Sequence, residues 1–136
     1  RLTVRIVHLG HAPLPPGCSF HGRYGWHPGR WVLGTAAAQA RTGLVEPIVV
    51  TVVPGGEERV EYEQEGVRTI FVPVPMRGRA ASLFHRDSRR LLPIIEELGP
   101  DIVHAHGTEE GYALTALRSG RAHIASVQCL FRTIHE

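Results

Sequence analysis

Apolar and polar positions change their period several times along this chain. Thr3 to Leu9 is rich in β-branched residues and stops at Gly10, the signature of a strand. A long loop follows from Gly10 to Pro28, punctuated by glycines and prolines. From Gly29 to Arg41 the chain is Ala-rich, with Trp31, Val32, Ala36 and Ala40 near helical spacing and Gly43 as a helix stop. Pro47 to Val53 is almost continuously apolar, as expected of a strand covered on both faces. Strand, Gly-rich loop, helix and strand together predict a right-handed βαβ unit.

The middle reads as more peripheral. Pro54-Gly55-Gly56 makes a turn, and Arg59 to Gln64 alternates charged and apolar residues like a half-exposed strand. Arg68 to Val74 is a further strand. A helix is expected from about Ala81 to Leu98, with Phe84, Ser88, Leu91, Ile95 and Leu98 as its apolar-side stripe. Pro93 falls inside it, which predicts a kink or a division into two helices. The last third returns to alternation. Asp101 to Ala105 is a short strand running into His104-Ala105-His106-Gly107, Glu109 to Arg118 a helix, and Ala122 to Val127 another buried strand. The order predicts an α/β, Rossmann-like, doubly wound and mainly parallel sheet with helices on both faces. All 136 residues fit one domain of ordinary size.

Composition narrows the functional classes. A net charge of +2 argues against a general nucleic-acid binder. All 15 basic residues are Arg, which offers two-pronged contacts to phosphate or carboxylate. Cys18 and Cys129 are too few for a disulfide framework and are read as free thiols of a reducing cytoplasm. No apolar run is long enough to predict a membrane-spanning helix. A start at Arg1 and an end without tail-like composition suggest a piece of a longer protein.

In such sheets ligands bind beyond the carboxyl ends of the strands, where the strand order reverses. Three segments fall there: Gly10 to Pro28, His104 to Glu110, and Gln128 to Phe131. The first ends at a helix N-terminus, whose free N–H groups suit an anion. Its Gly22, Gly25 and Gly29 do not make the dinucleotide fingerprint, and no Walker Lys exists. His104 and His106, two apart on a strand, share one face. A neutral imidazole there could hydrogen-bond a sugar hydroxyl, pack in the core, or ligate a metal. His-x-His is a usable metal pair, but no Cys-x-x-Cys or His-Glu-x-x-His accompanies it, so no metal and no cofactor is expected. His106, nearer the strand end, is favoured over His104. Thr108 is a natural N-cap, and Glu109 and Glu110 suit the first turn of the helix after it. Arg77, Arg79, Arg86, Arg89 and Arg90 flank Leu83 and Phe84. They could meet an acidic acceptor or an anionic membrane surface, or form a solvated face with buried stems.

At these residues the chain resembles a known family. Asp101-Ile102-Val103-His104-Ala105-His106-Gly107 is similar to the Asp-hydrophobic-hydrophobic-His-x-His segment of family 4 glycosyltransferases. Gly29-Arg30-Trp31-Val32 resembles their first helix start, and Gly66 to Pro75 their Gly-Val-x-hydrophobic-x-x-Val-Pro segment. Ser126-Val127-Gln128-Cys129-Leu130 is close to a Ser-hydrophobic-Gln-Gly-Leu form of that family. The resemblance implies the acceptor-side N-terminal half of a two-domain, GT-B-type enzyme. Such an enzyme moves a sugar from a nucleotide-activated donor to an acceptor, with retention and without a bound metal. It further implies that His106 lies near the reacting centre, and that backbone near Gly25 and Gly29, with Arg30, His104 and Gln128, helps hold donor or acceptor. Arg77 and Arg79 would face the acceptor or a membrane. Without its C-terminal half and the Glu-x7-Glu element there, the chain would be inactive and could self-associate through its open face. Pro28 and Cys129 stand where the family usually has Gly. They keep a second reading open, a non-catalytic binding module of the same fold.

Overall fold

The computed structural model describes residues 2–15, 30–108 and 110–127. The expectations for Cys18, Gly22, Gly25, Pro28, Gly29, Glu109, Gln128 and Cys129 fall outside these residues. The described elements are strands β1 (Val4–Leu9), β2 (Val45–Pro54), β3 (Val60–Gln64), β4 (Val67–Val74), β5 (Ile102–His106) and β6 (Ala122–Ser126). Helices are α1 (Trp31–Ala40), α2 (His85–Leu98) and α3 (Tyr112–Arg118).

The strands form one sheet in the order β3-β4-β2-β1-β5-β6. All neighbours run parallel except the hairpin pair β3 and β4. The chain therefore winds outward from β1 through β2 to β4, then returns to the other side of β1 to lay down β5 and β6. The order reverses between β1 and β5, and a crevice is expected at the carboxyl ends of those two strands.

Strand β2 shows why the sheet is central. Its residues alternate between two cores, because successive side chains point to opposite faces. Ile48, Val50 and Val52 join Leu91, Ile94, Ile95 and Leu98 of α2 and Tyr112 and Ala116 of α3. Val49 and Val53 join Val32, Leu33, Ala36 and Ala37 of α1. Helices thus cover both faces, as the sequence predicts. Helix α1 gives way to Gly43, whose φ of +69° is left-handed.

Three local expectations need correction. Helix α2 begins at His85, not near Ala81, because Leu83 and Phe84 adopt left-handed φ values of 50° and 60° that a right-handed helix cannot include. Pro93 does not divide it: the helix runs through to Leu98. Pro93 lies on its exposed side, where water can satisfy the carbonyl that the ring leaves unbonded. Strand β6 is not buried. It is the sheet edge, and Ala122 to Ala125 are all exposed. Its apolar composition suits coverage that no described residue provides.

Candidate functional site

The carboxyl ends of β1 and β5 meet at three histidines. In the parallel register His8 lies opposite His104, and His106 follows two residues on, so all three side chains share one face. This is the face that α1 covers, since Gln39 of α1 reaches His8. His8 is fully buried, and His106 is 9% exposed. The His8 Nδ1 to His106 Nε2 distance is 2.9 Å, and His8 Nε2 lies 2.7 Å from Gln39 Oε1. His104 stacks on His106 with ring centroids 4.1 Å apart, and its Nε2 is 2.7 Å from Ser126 Oγ of β6. The sequence expectation that His104 and His106 point the same way therefore holds.

Burial decides the charge of these rings. It pushes the His8 imidazole down to about 4, against the opposing hydrogen bond to Gln39 and helped by the neighbouring His104. His106 is pushed down to about 3, first by burial and then by His104 and His8. Burial lowers His104 too. All three are neutral at pH 7.

Gly10 makes room for this arrangement. A Cβ there would stand 2.9 Å from Val32 Cγ2 and 3.1 Å from His106 Cβ. The turn beyond it is anchored by Thr51, whose hydroxyl donates to the Gly10 carbonyl at 2.6 Å and accepts from the Ala12 N–H at 3.1 Å.

One nitrogen from each of His8, His104 and His106 lies within 4.8 Å of the others. In kind this set suits zinc. The His104 and His106 rings stack with 23° between their planes. As folded, His8 bonds to His106 and to Gln39, while His104 stacks on His106 and bonds to Ser126.

A second cluster lies beside the first, and it is charged. Arg79 grips the buried Asp87 with Nε and Nη2, the shortest contact being 2.6 Å, and also bonds Glu110. His11 Nε2 approaches Glu110 at 3.5 Å. Burial pushes the Glu110 carboxyl up, but the His11 hydrogen bond and the His11 and Arg79 charges outweigh it and hold it below the usual carboxylate range. The network ties together the segments that follow β1, β4 and β5.

The predicted site residues that fall among the described ones each have a place. His104 and His106 come together at the carboxyl end of β5, beside the strand-order reversal. Arg30 is on the surface, with Nη2 2.7 Å from Glu65 Oε1. Arg77 is exposed, while the guanidinium of Arg79 turns inward to Asp87 and Glu110 rather than to an outside partner. Two capping expectations fail. Helix α3 is capped by the backbone of Gly111 with no side-chain bond, so Thr108 is not its N-cap. Glu110 precedes the helix and serves the ion network instead. His8, Gln39, Gly10 and Asp87 were not singled out from the sequence as site residues. A polar residue near the end of an otherwise apolar strand, as His8 is, was the one available signal.

The chain is thus an α/β domain with a Rossmann-like sheet and polar groups gathered at its reversal point, the place where ligands bind in such sheets. The profile of "Glycosyltransferase Family 4" matches residues 28–135. The chain belongs to that family, as an N-terminal domain of its GT-B type. No curated protein matches. Among solved structures it resembles sucrose-phosphate synthase from Thermosynechococcus elongatus, at 14% identity and a TM-score of 0.62 over 93% of this chain and 33% of that one. It also resembles the trehalose-6-phosphate protein of E. coli bound with UDP-2-fluoro glucose, at 10% identity and a TM-score of 0.58 over 89% of this chain and 32% of the other. The chain thus spans about a third of the length of these neighbours. Both likenesses concern the fold. Among the described residues, no helix is long and apolar enough to cross a membrane.

Proposed function

We propose that this chain is the acceptor-side half of an enzyme that transfers a sugar from a nucleotide-activated donor to an acceptor, with retention, and that it is inactive without its second half. Family membership supports glycosyl transfer. The observation that carries the site assignment is the position of His106, at the last residue of β5, beside the strand-order reversal, slightly exposed and neutral. A neutral imidazole there can hydrogen-bond a sugar hydroxyl without placing a second positive charge beside the developing oxocarbenium. Backbone of Gly25 and Gly29 and the side chains of Arg30, His104 and Gln128 would complete donor or acceptor contacts. Exposed Arg77 would meet an acidic acceptor or a membrane surface, and the setting would be cytoplasmic.

The test is nucleotide release over a panel of nucleotide sugars by the full-length parent, by this chain alone, and by the parent carrying His106→Ala. Release by the parent only, lost in the variant, is the expected result. Release that survives His106→Ala would keep the transferase and remove His106 from its site. A folded parent that releases nothing from any donor would favour the non-catalytic binding module.

A further inference from the structure

We propose that His8 and Gln39 are positioning residues that fix the tautomer of His106, leaving Nδ1 as its only hydrogen-bond acceptor for a ligand. The inference rests on the transferase reading only for what the ligand is; the tautomer itself follows from the geometry.

The proton order can be read along the chain of contacts. An amide oxygen only accepts, so Gln39 Oε1 requires a proton on His8 Nε2, 2.7 Å away. His8 is fully buried and neutral, and its second nitrogen, Nδ1, therefore carries a lone pair. That lone pair lies 2.9 Å from His106 Nε2, which must then be the donor. A neutral His106 with its proton on Nε2 has a bare Nδ1. Among the described residues no hydrogen-bond partner for that nitrogen is found. His104 holds the ring from the side, stacked at 4.1 Å and itself anchored to Ser126.

The arrangement has a functional consequence. A bare Nδ1 accepts from a hydroxyl, so a ligand with a donating O–H is favoured. A ligand group that can only accept meets a lone pair. The helix α1 supplies Gln39, β1 supplies His8 and β5 supplies His106. The relay therefore also couples the placement of α1 to the protonation pattern of the site. Fixing a ring by an outer hydrogen-bond partner typically matters by about tenfold to a hundredfold where histidines bind metals, and an effect of about tenfold on kcat/KM is expected here.

Long-range 1H–15N spectra of the imidazoles in the full-length protein read the tautomers directly. His8 and His106 should both appear with the proton on Nε2. Gln39→Leu removes the acceptor and should let both rings shift towards a mixture, with kcat/KM falling about tenfold. Gln39→Glu places a counter-charge against His8, favours its doubly protonated ring, and should move the His106 proton from Nε2 to Nδ1. Circular dichroism establishes that each variant is folded. A His106 proton on Nδ1 in the unaltered protein, or a tautomer indifferent to Gln39→Leu, would overturn the proposal. A parent without transferase activity but with the expected spectra would sink the functional reading and leave the relay standing.

Discussion

Two polar clusters sit side by side at the carboxyl edge of the sheet, and they have solved burial in opposite ways. The histidine chain of Gln39, His8 and His106 is neutral: burial without a counter-charge has driven its imidazoles far below their usual range. The network of Arg79, Asp87 and Glu110, which His11 joins by its contact with Glu110, is built on ion pairs, and these offset the burial of Glu110. The neutral chain is built mainly on strand ends, which fix its register. The charged network clamps three loops, where register alone would leave the chain free. Geometry at the site is thus set by hydrogen bonds between neutral rings, and loop position by ion pairs.

The largest effect that would sharpen this contrast is on the charged side. Asp87 is fully buried, and Asp87→Ala would leave a largely buried Arg79 with Glu110 as its one acidic partner among the described residues. We predict a loss of about 3–5 kcal/mol in urea unfolding. A loss below about 1 kcal/mol would mean that the network is no more than a surface ion pair.

Next comes the space beneath the neutral chain. Gly10→Ala would press a methyl against Val32 and His106. A destabilisation of about 1–3 kcal/mol is expected from such overpacking. The same change should shift the imidazole signals of His106 while leaving the Nε–H signal of Arg79 nearly in place. Equal shifts in both would show that the two clusters are not independent.

Acid separates the clusters by the pH window in which each loses stability. The folded-state pKa values of His8 and His106 lie below the unfolded value of 6.5, so the unfolded chain binds more protons between the two limits. Stability is full above about pH 6.5 and falls as the pH drops towards 4, by at most about 1.4 kcal/mol per pH unit for each histidine. His8→Leu should flatten that slope. The charged network contributes in a lower window, because Glu110 has its folded pKa depressed below the usual carboxylate range. Its stabilisation is present above that range and is lost only as the pH falls through the lowered value. Chemical unfolding followed from about pH 8 down to about pH 3 distinguishes the two.

The smallest effect belongs to the exposed pair. Arg30→Ala removes a contact with Glu65 between side chains that are 68% and 47% exposed. Stability should change by less than about 0.5 kcal/mol. A pronounced loss of donor affinity in the full-length protein would then assign Arg30 to binding rather than to stability.

The strands show how much of the fold could be read in advance. Strand β2 was legible because seven of its residues, Pro47 to Val53, are buried, and a strand covered on both faces must be apolar throughout. Strand β6 has a similar apolar pattern yet lies exposed at the edge, since composition reports what a strand can be covered by, not what covers it. The His-x-His pair was legible for the same reason as β2: the two-residue period of a strand puts both rings on one face.

Local rules of the chain itself therefore determined the elements, the α/β class, the shared face of His104 and His106, and the family resemblance. Only the tertiary structure brought His8 and Gln39 to His106, 98 residues from His8 in sequence, and turned Arg79 inward to Asp87 and Glu110. Periodicity and turn chemistry act over a few residues. Which strand lies beside which is a matter of pairing register and packing over the whole sheet, and the proton pattern of the site depends on that pairing.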